Sequence, residues 1–177
     1  GAQFGKVRIE GSNISLDGVT VQAQLTLQNA EYIQVINSTL PFTEVNYSSY
    51  FVFDGNDIGG LGSPHGLFIE SSNNFEVINN YIHEVESDLM RVLGPSYNGL
   101  IENNMLWDML PRKFADGSTT HADAIQMFGR DTGSPHDIVI RGNLIYDDPS
   151  TGDTGNLWGQ GIFLGGPTSG YENILIE

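Results

Sequence analysis

His65, Asp88, Asp123 and Gln160 each stand two residues before a pair of the form apolar, any, apolar, and Phe68, Arg91, Gln126 and Phe163 stand inside those pairs. The pairs are Leu67/Ile69, Met90/Val92, Ile125/Met127 and Ile162/Leu164. Such alternation makes short strands with one face buried. Strands stacked in register bring equal offsets together, so Asp88 and Asp123 are expected as neighbours, with Arg91 and Gln126 beside them. Two adjacent carboxylates repel, which raises one pKa and leaves an acid beside a base. A nearby guanidinium partly cancels that shift and also grips carboxylates. His121, two residues before Asp123, is the best candidate for proton transfer, since an unperturbed imidazole ionises near neutrality. An acid at a strand start more commonly bonds its own turn backbone. It is the recurrence of the whole constellation that favours a site.

The elements that hold these residues belong to a longer repeat. Its pattern is apolar, any, apolar, two mostly polar or Gly residues, Asn or Ser, any, apolar. It reads VRIEGSNI at 7–14, IQVINSTL at 33–40, FVFDGNDI at 51–58, FEVINNYI at 75–82, GLIENNML at 99–106 and IVIRGNLI at 138–145, with ILIE starting at Ile174. The central apolar anchors are Ile9, Val35, Phe53, Val77, Ile101, Ile140 and Ile176, spaced by 26, 18, 24, 24, 39 and 36 residues. Repeats of this size built from short strands predict a solenoid of about seven coils. The position three residues after the anchor holds Ser12, Ser38, Asn56, Asn80, Asn104 and Asn143. Coils stack about 4.8 Å apart, so these side chains should form a column in which each Asn donates to one neighbouring coil and accepts from the other.

Two coils are longer than the rest. From anchor to second strand takes 14 and 13 residues after Phe53 and Val77, but 24 and 22 after Ile101 and Ile140. The extra length is WDMLPRKFADGSTTH (107–121) and DDPSTGDTGNLWG (147–159). Long loops on one side of a solenoid commonly build its binding face. These supply Trp107, Arg112, Lys113, His121 and Trp158, rings that stack on sugars and cations that hold carboxylates. Loops that merely cover the helix and bury their tryptophans are the alternative.

The repeat and its Asn positions resemble the right-handed parallel β-helix with an asparagine ladder, over nearly the whole chain. The segment HADAIQ (121–126) resembles strand-start segments of β-helix enzymes acting on uronate polymers, such as pectin hydrolases, alginate epimerases and alginate lyases. The chain does not reproduce the full catalytic set of any one of these families. The resemblance implies a single all-β domain over 1–177 and a polysaccharide substrate. Under a lyase or C5-epimerase reading, Arg91, Arg112 or Lys113 neutralises the uronate carboxylate and His121 removes the C5 proton, with Tyr97 a weaker acid candidate. Asp88 and Asp123 then orient His121 or hold Ca²⁺, which could do the neutralising instead; otherwise no cofactor is required. Gln126, Gln160, His65, Trp107 and Trp158 are the substrate-binding candidates. A hydrolase would use Asp88 and Asp123 as the acid and base. A non-catalytic adhesin or tailspike-like module would use only the tryptophans.

The charge distribution fits a secreted or cell-surface protein, and the resemblance implies a bacterial one. The net charge of −15 argues against nucleic acid and anionic membranes and leaves an acidic polysaccharide to meet a local cationic region. That region exists: five of the seven basic residues fall between 91 and 141, where only six of the 22 acids lie. The chain has no cysteine, so neither disulfides nor a thiol nucleophile are available. No apolar run approaches the roughly 20 residues of a membrane span. The sequence opens near one strand and stops inside another, so further β-structure, from a longer helix or another chain, is expected to cover the ends.

Overall fold

The computed structural model describes residues 1–147, 161–166 and 170–177. Among these, all regular elements are strands and every strand pair is parallel. The chain winds through three stacks and returns one coil further on, making a parallel β-helix. The first stack runs from Ser12–Asp17 through Glu31–Ile36, Ser49–Asp54, Asn73–Ile78, Tyr97–Glu102 and His136–Arg141 to Glu172–Ile176. The second holds Thr39–Leu40, Asp57–Ser63, Tyr81–Val85, Met105–Met109 and Leu144–Tyr146. The third holds Thr43–Asn46, Leu67–Glu70, Met90–Leu93, Ile125–Phe128 and Ile162–Gly165. The long strand Thr20–Gln28 serves both of the latter, with Thr20 opposite Thr39 and Leu25 opposite Thr43.

The repeat pattern spans two of these stacks and the corner between them. Val35, Phe53, Val77, Ile101, Ile140 and Ile176 lie opposite one another along the first stack. The closing apolar residue of each copy belongs to the second stack: Ile58, Ile82, Leu106 and Ile145 pair there. The copy at 7–14 breaks the series. Leu16, not Ile9, pairs with Val35, and the corner position before Ser38 is Val19 rather than Ser12. Ile9 lies opposite Leu27, in the strand that continues into the third stack. Alternation alone cannot tell which face of the helix a strand joins, and residues 7–12 copy the motif in the wrong place.

The corner between first and second stacks explains the Asn positions. The residue just before it, Asn37, Gly55, Asn79, Asn103 or Gly142, takes a left-handed φ between 49° and 65°, which turns the chain sharply inward. The next amide is then buried and needs a partner. Asn56, Asn80 and Asn104 are at most 1% exposed. Asn56 N and Nδ2 both donate to Asn80 Oδ1, at 3.0 and 2.9 Å. Asn80 donates likewise to Asn104 Oδ1 at 2.9 and 3.0 Å, and Asn104 to Asn143 Oδ1 at 2.9 Å. Each carboxamide also donates to a first-stack carbonyl, as Asn80 Nδ2 does to Phe53 O at 2.9 Å. A second column, unsuspected from the pattern, runs along the corner between third and first stacks. There Ala30, Ser48 and Ser72 amides donate to the hydroxyls of Ser48, Ser72 and Ser96. Its trace in the sequence is a serine five residues before three successive anchors.

Between the columns the interior is apolar. Phe51 and Phe75 stack at 5.5 Å, and Val77, Ile82, Met90, Val92, Ile125 and Met127 are fully buried. Replacing Asn80 by Leu removes the two bonds it accepts from Asn56 and the one it donates to Phe53 O, so a loss of about 3 kcal/mol is expected in urea unfolding. Asn79→Gly, one residue away on the exposed, left-handed side of the same corner, should stay within about 0.5 kcal/mol.

Candidate functional site

The third stack assembles the residues singled out by offset. Leu67, Met90, Ile125 and Ile162 lie opposite one another, as do Ile69, Val92, Met127 and Leu164. Phe68, Arg91, Gln126 and Phe163 therefore form one outward row. At the start of these strands the coils approach closely. A Cβ on Gly66 would come within 2.3 Å of the Leu89 carbonyl oxygen, so only glycine fits there.

Asp88 and Asp123 are buried at this corner, at 2% and 0% exposure. The amide of Asp123 donates to Asp88 Oδ1 at 2.8 Å, tying the two coils together. Asp88 Oδ2 lies 3.1 Å from Arg91 Nε. Arg91 reaches across its row as well, donating from Nε and Nη2 to Gln126 Oε1 at 2.8 and 2.6 Å, with its guanidinium 5.6 Å from the Phe68 ring centre. Gln126 Nε2 donates to Asp123 Oδ2 at 3.1 Å, and His121 Nδ1 lies 3.1 Å from the same oxygen. The His121 side chain is 59% exposed, so its ring projects outward from a buried carboxylate. Its position is held by the returning loop: Ser87 Oγ donates to the His121 carbonyl, and Thr120 Oγ1 donates to the Glu86 carbonyl. Nothing in the sequence around Glu86 and Ser87 signals this tie, because it exists only where two coils meet.

Burial pushes the Asp88 carboxyl above its ordinary value; the Asp123 amide and Arg91 oppose that shift, and the Asp123 carboxylate adds to it. His65 sits one coil away, between the rings of Phe42 and Phe68 at 5.8 and 6.3 Å. Its Nδ1 is buried without a hydrogen bond, 3.9 Å from Asp88 Oδ2. Burial, and secondarily Arg91, push its pKa down to about 4, so this imidazole is neutral at physiological pH.

Other candidates stand elsewhere. Arg112 lies over the Phe114 ring and 3.8 Å from Glu86, and Lys113 bridges Thr119, so both belong to a hairpin-like excursion that ends at His121. Trp107 lies in the strand Met105–Met109 rather than in a loop. Its faces are taken by His83 at 4.4 Å and Tyr146 at 5.8 Å, which leaves no open face for a sugar ring and corrects the stacking role expected of it. Tyr97 is on the first stack, its ring stacked on His136 at 5.1 Å, and is no partner for His121. Trp158 and Gln160 lie outside the described residues.

A Ca²⁺ ion at Asp88 and Asp123 does not fit. Asp88, His121 and Asp123 each bring one ligand atom within 4.8 Å of the others. Calcium takes about six to eight oxygens. Here Asp88 Oδ1 is engaged by an amide, Oδ2 faces a guanidinium, and the third donor is a nitrogen. The same contacts instead describe an exposed imidazole braced by a buried acid, beside an arginine whose Nε and Nη2 are engaged by Gln126 and Asp88.

No protein-family model and no curated protein matches the chain. Among solved structures it is similar to the A-module of the Azotobacter vinelandii mannuronan C-5 epimerase AlgE6, at 14% identity and a TM-score of 0.32, over 99% of this chain. The chain spans 58% of the length of that module.

Since the folded state holds the Asp88 proton more tightly than the unfolded chain, the stability so gained is present below the ordinary carboxylate value and lost as pH rises through the folded one. Thermal melts from about pH 4 to about pH 8 should show this decline in the wild type. It should be smaller in Asp88→Asn, and an identical slope in the two proteins would contradict the assignment.

Proposed function

We propose that the chain acts on a uronate-containing polysaccharide as a lyase or C5-epimerase, in an extracellular setting. The observation that carries this reading is the contact between exposed His121 Nδ1 and buried Asp123, next to the outward guanidinium of Arg91. Asp123 accepts from Nδ1–H and leaves Nε2 as the basic nitrogen directed at substrate. Arg91, braced by Gln126 and Asp88, neutralises the C6 carboxylate and so acidifies the C5 proton. The C5–H pair moves into the carboxylate as His121 Nε2 takes the proton. The pair then returns to form a C4–C5 double bond as the 4-O substituent leaves with the proton from His121 Nε2, or water protonates C5 from its other face and the hydroxide so formed takes the proton from His121. Arg112 and Lys113 are assigned to neighbouring carboxylates of the same polymer.

A hydrolase built on Asp88 and Asp123 is disfavoured by their burial. Its two carboxyls would have to reach a glycosidic bond or a water on it, from about 5 to 9.5 Å apart. Both are sealed beneath the surface, and one is bonded to the other's amide. They act here as supports.

His121→Ala is expected to lower turnover on the preferred polyuronate by about 10²–10⁴. Because the side chain is mostly exposed, the melting temperature should hardly change. Turnover is read from absorbance of the unsaturated product for a lyase, or from NMR of inverted uronates for an epimerase. Full turnover in the variant, with lost stability, would make His121 structural and leave glycan binding without chemistry.

A further inference from the structure

The outer face of the third stack carries a concavity at the end of its strands opposite His121. It has a volume of about 670 Å³ and is lined by Tyr47, Glu70, Phe128, Arg130, Asp131 and Thr132 among others. That size suits a small-molecule ligand or a short stretch of polymer. Glu70 and Phe128 stand two residues after Phe68 and Gln126 in their strands, on the same face as the Arg91 row and about 7 Å along it. One chain lying along the strand direction therefore meets both places.

The wall of this cavity is an insertion. Phe75 follows Ile69 by six residues and Gly99 follows Val92 by seven, whereas Ile138 follows Met127 by eleven. The added residues form a tight turn in which Arg130 N donates to Gly133 O at 2.8 Å and Gly133 N to Arg130 O at 2.9 Å. Gly133 takes a φ of 140°, open to glycine, and packs beside Pro95. The turn carries Arg130 back over the preceding coils, where its Nε lies 3.4 Å from Glu70 Oε1. Tyr47, at 61% exposure, offers a ring on the far side.

The charge arrangement is unlike that at Arg91. There the acids are buried behind the arginine, and the guanidinium faces outward. Here Glu70 and Asp131 line the cavity beside Arg130, so a ligand carboxylate would meet two like charges. A neutral polyol meets none of that repulsion. Its hydroxyls donate to Glu70 and Asp131 and accept from Arg130 and Thr132, while its apolar ring face lies on Tyr47 or Phe128. We propose that this cavity binds a neutral hexose unit, so that the polymer handled at His121 and Arg91 contains both uronate and neutral sugars. This rests on the uronate reading for its second half only, because neutral-sugar binding is measurable without turnover.

The test is binding of neutral linear hexo-oligosaccharides, mannan- and glucan-derived, by titration calorimetry and saturation-transfer NMR. At least one should bind the wild type, and Arg130→Ala and Tyr47→Asn should each weaken it about tenfold or more. Asn tolerates the left-handed backbone of Tyr47, so that variant removes the ring without strain. His121→Ala should bind the same oligosaccharide as the wild type does. No neutral oligosaccharide binding, or binding unchanged in both cavity variants, overturns the proposal. Neutral binding that survives alongside absent uronate turnover would sustain the cavity and sink the uronate reading instead.

Discussion

Every turn of this helix drives backbone into an interior where no water is available, and satisfying those buried amides is the constraint on which the rest depends. Strand pairing satisfies the amides within the stacks but not those at the corners. There the chain uses side chains, Asn56, Asn80, Asn104 and Asn143 at one corner and Ser48, Ser72 and Ser96 at another. A carboxamide suits the task because one oxygen takes a neighbouring coil's amide while its nitrogen reaches a carbonyl. Once these positions are locked, the register of all three stacks follows, since a slip of one residue would turn apolar side chains outward.

The candidate site uses the same device with a different atom. Asp88 accepts the amide of Asp123 across a coil boundary, much as Asn80 accepts that of Asn56, though from the opposite neighbour. A carboxylate in that position is costlier than a carboxamide, because burial penalises its charge and raises its pKa. Arg91 offsets the penalty, and in doing so it is held in place above the strand. Rigid support of a functional group and satisfaction of a buried corner are thus one set of contacts, which suits a site that needs precise placement.

Length is added beside the face where function is proposed. The coil that carries Asp123 is extended twice, by the excursion that returns at His121 and by the turn that presents Arg130. Both extensions border the outer face of the third stack. The second stack's outer face is instead closed by the rings of His83, Trp107 and Tyr146 stacked on one another, with His83 held between Asp57 and Glu84. Ring-on-ring stacking covers the aromatic surface that a sugar would need.

Much was legible in the amino-acid order alone. Strand periodicity and the spaced asparagines specify a parallel stack, and equal offsets from apolar pairs bring Asp88, Asp123, Arg91 and Gln126 together, because in-register stacking converts sequence offset into spatial neighbourhood. Periodicity fails wherever it must choose between equivalent faces: Ile9 satisfies the pattern yet joins another stack than Leu16, and the short second stack hides in the tail of the repeat. Offsets also say nothing of direction or depth. Only the packed coils decide that Trp107 is covered on both faces, that Asp88 is a buried support, and that Glu70, Tyr47 and Arg130, far apart in sequence, line one cavity. Those facts depend on which coils are adjacent and how far each loop reaches back over its neighbour, and both are properties of the assembled helix rather than of any one repeat.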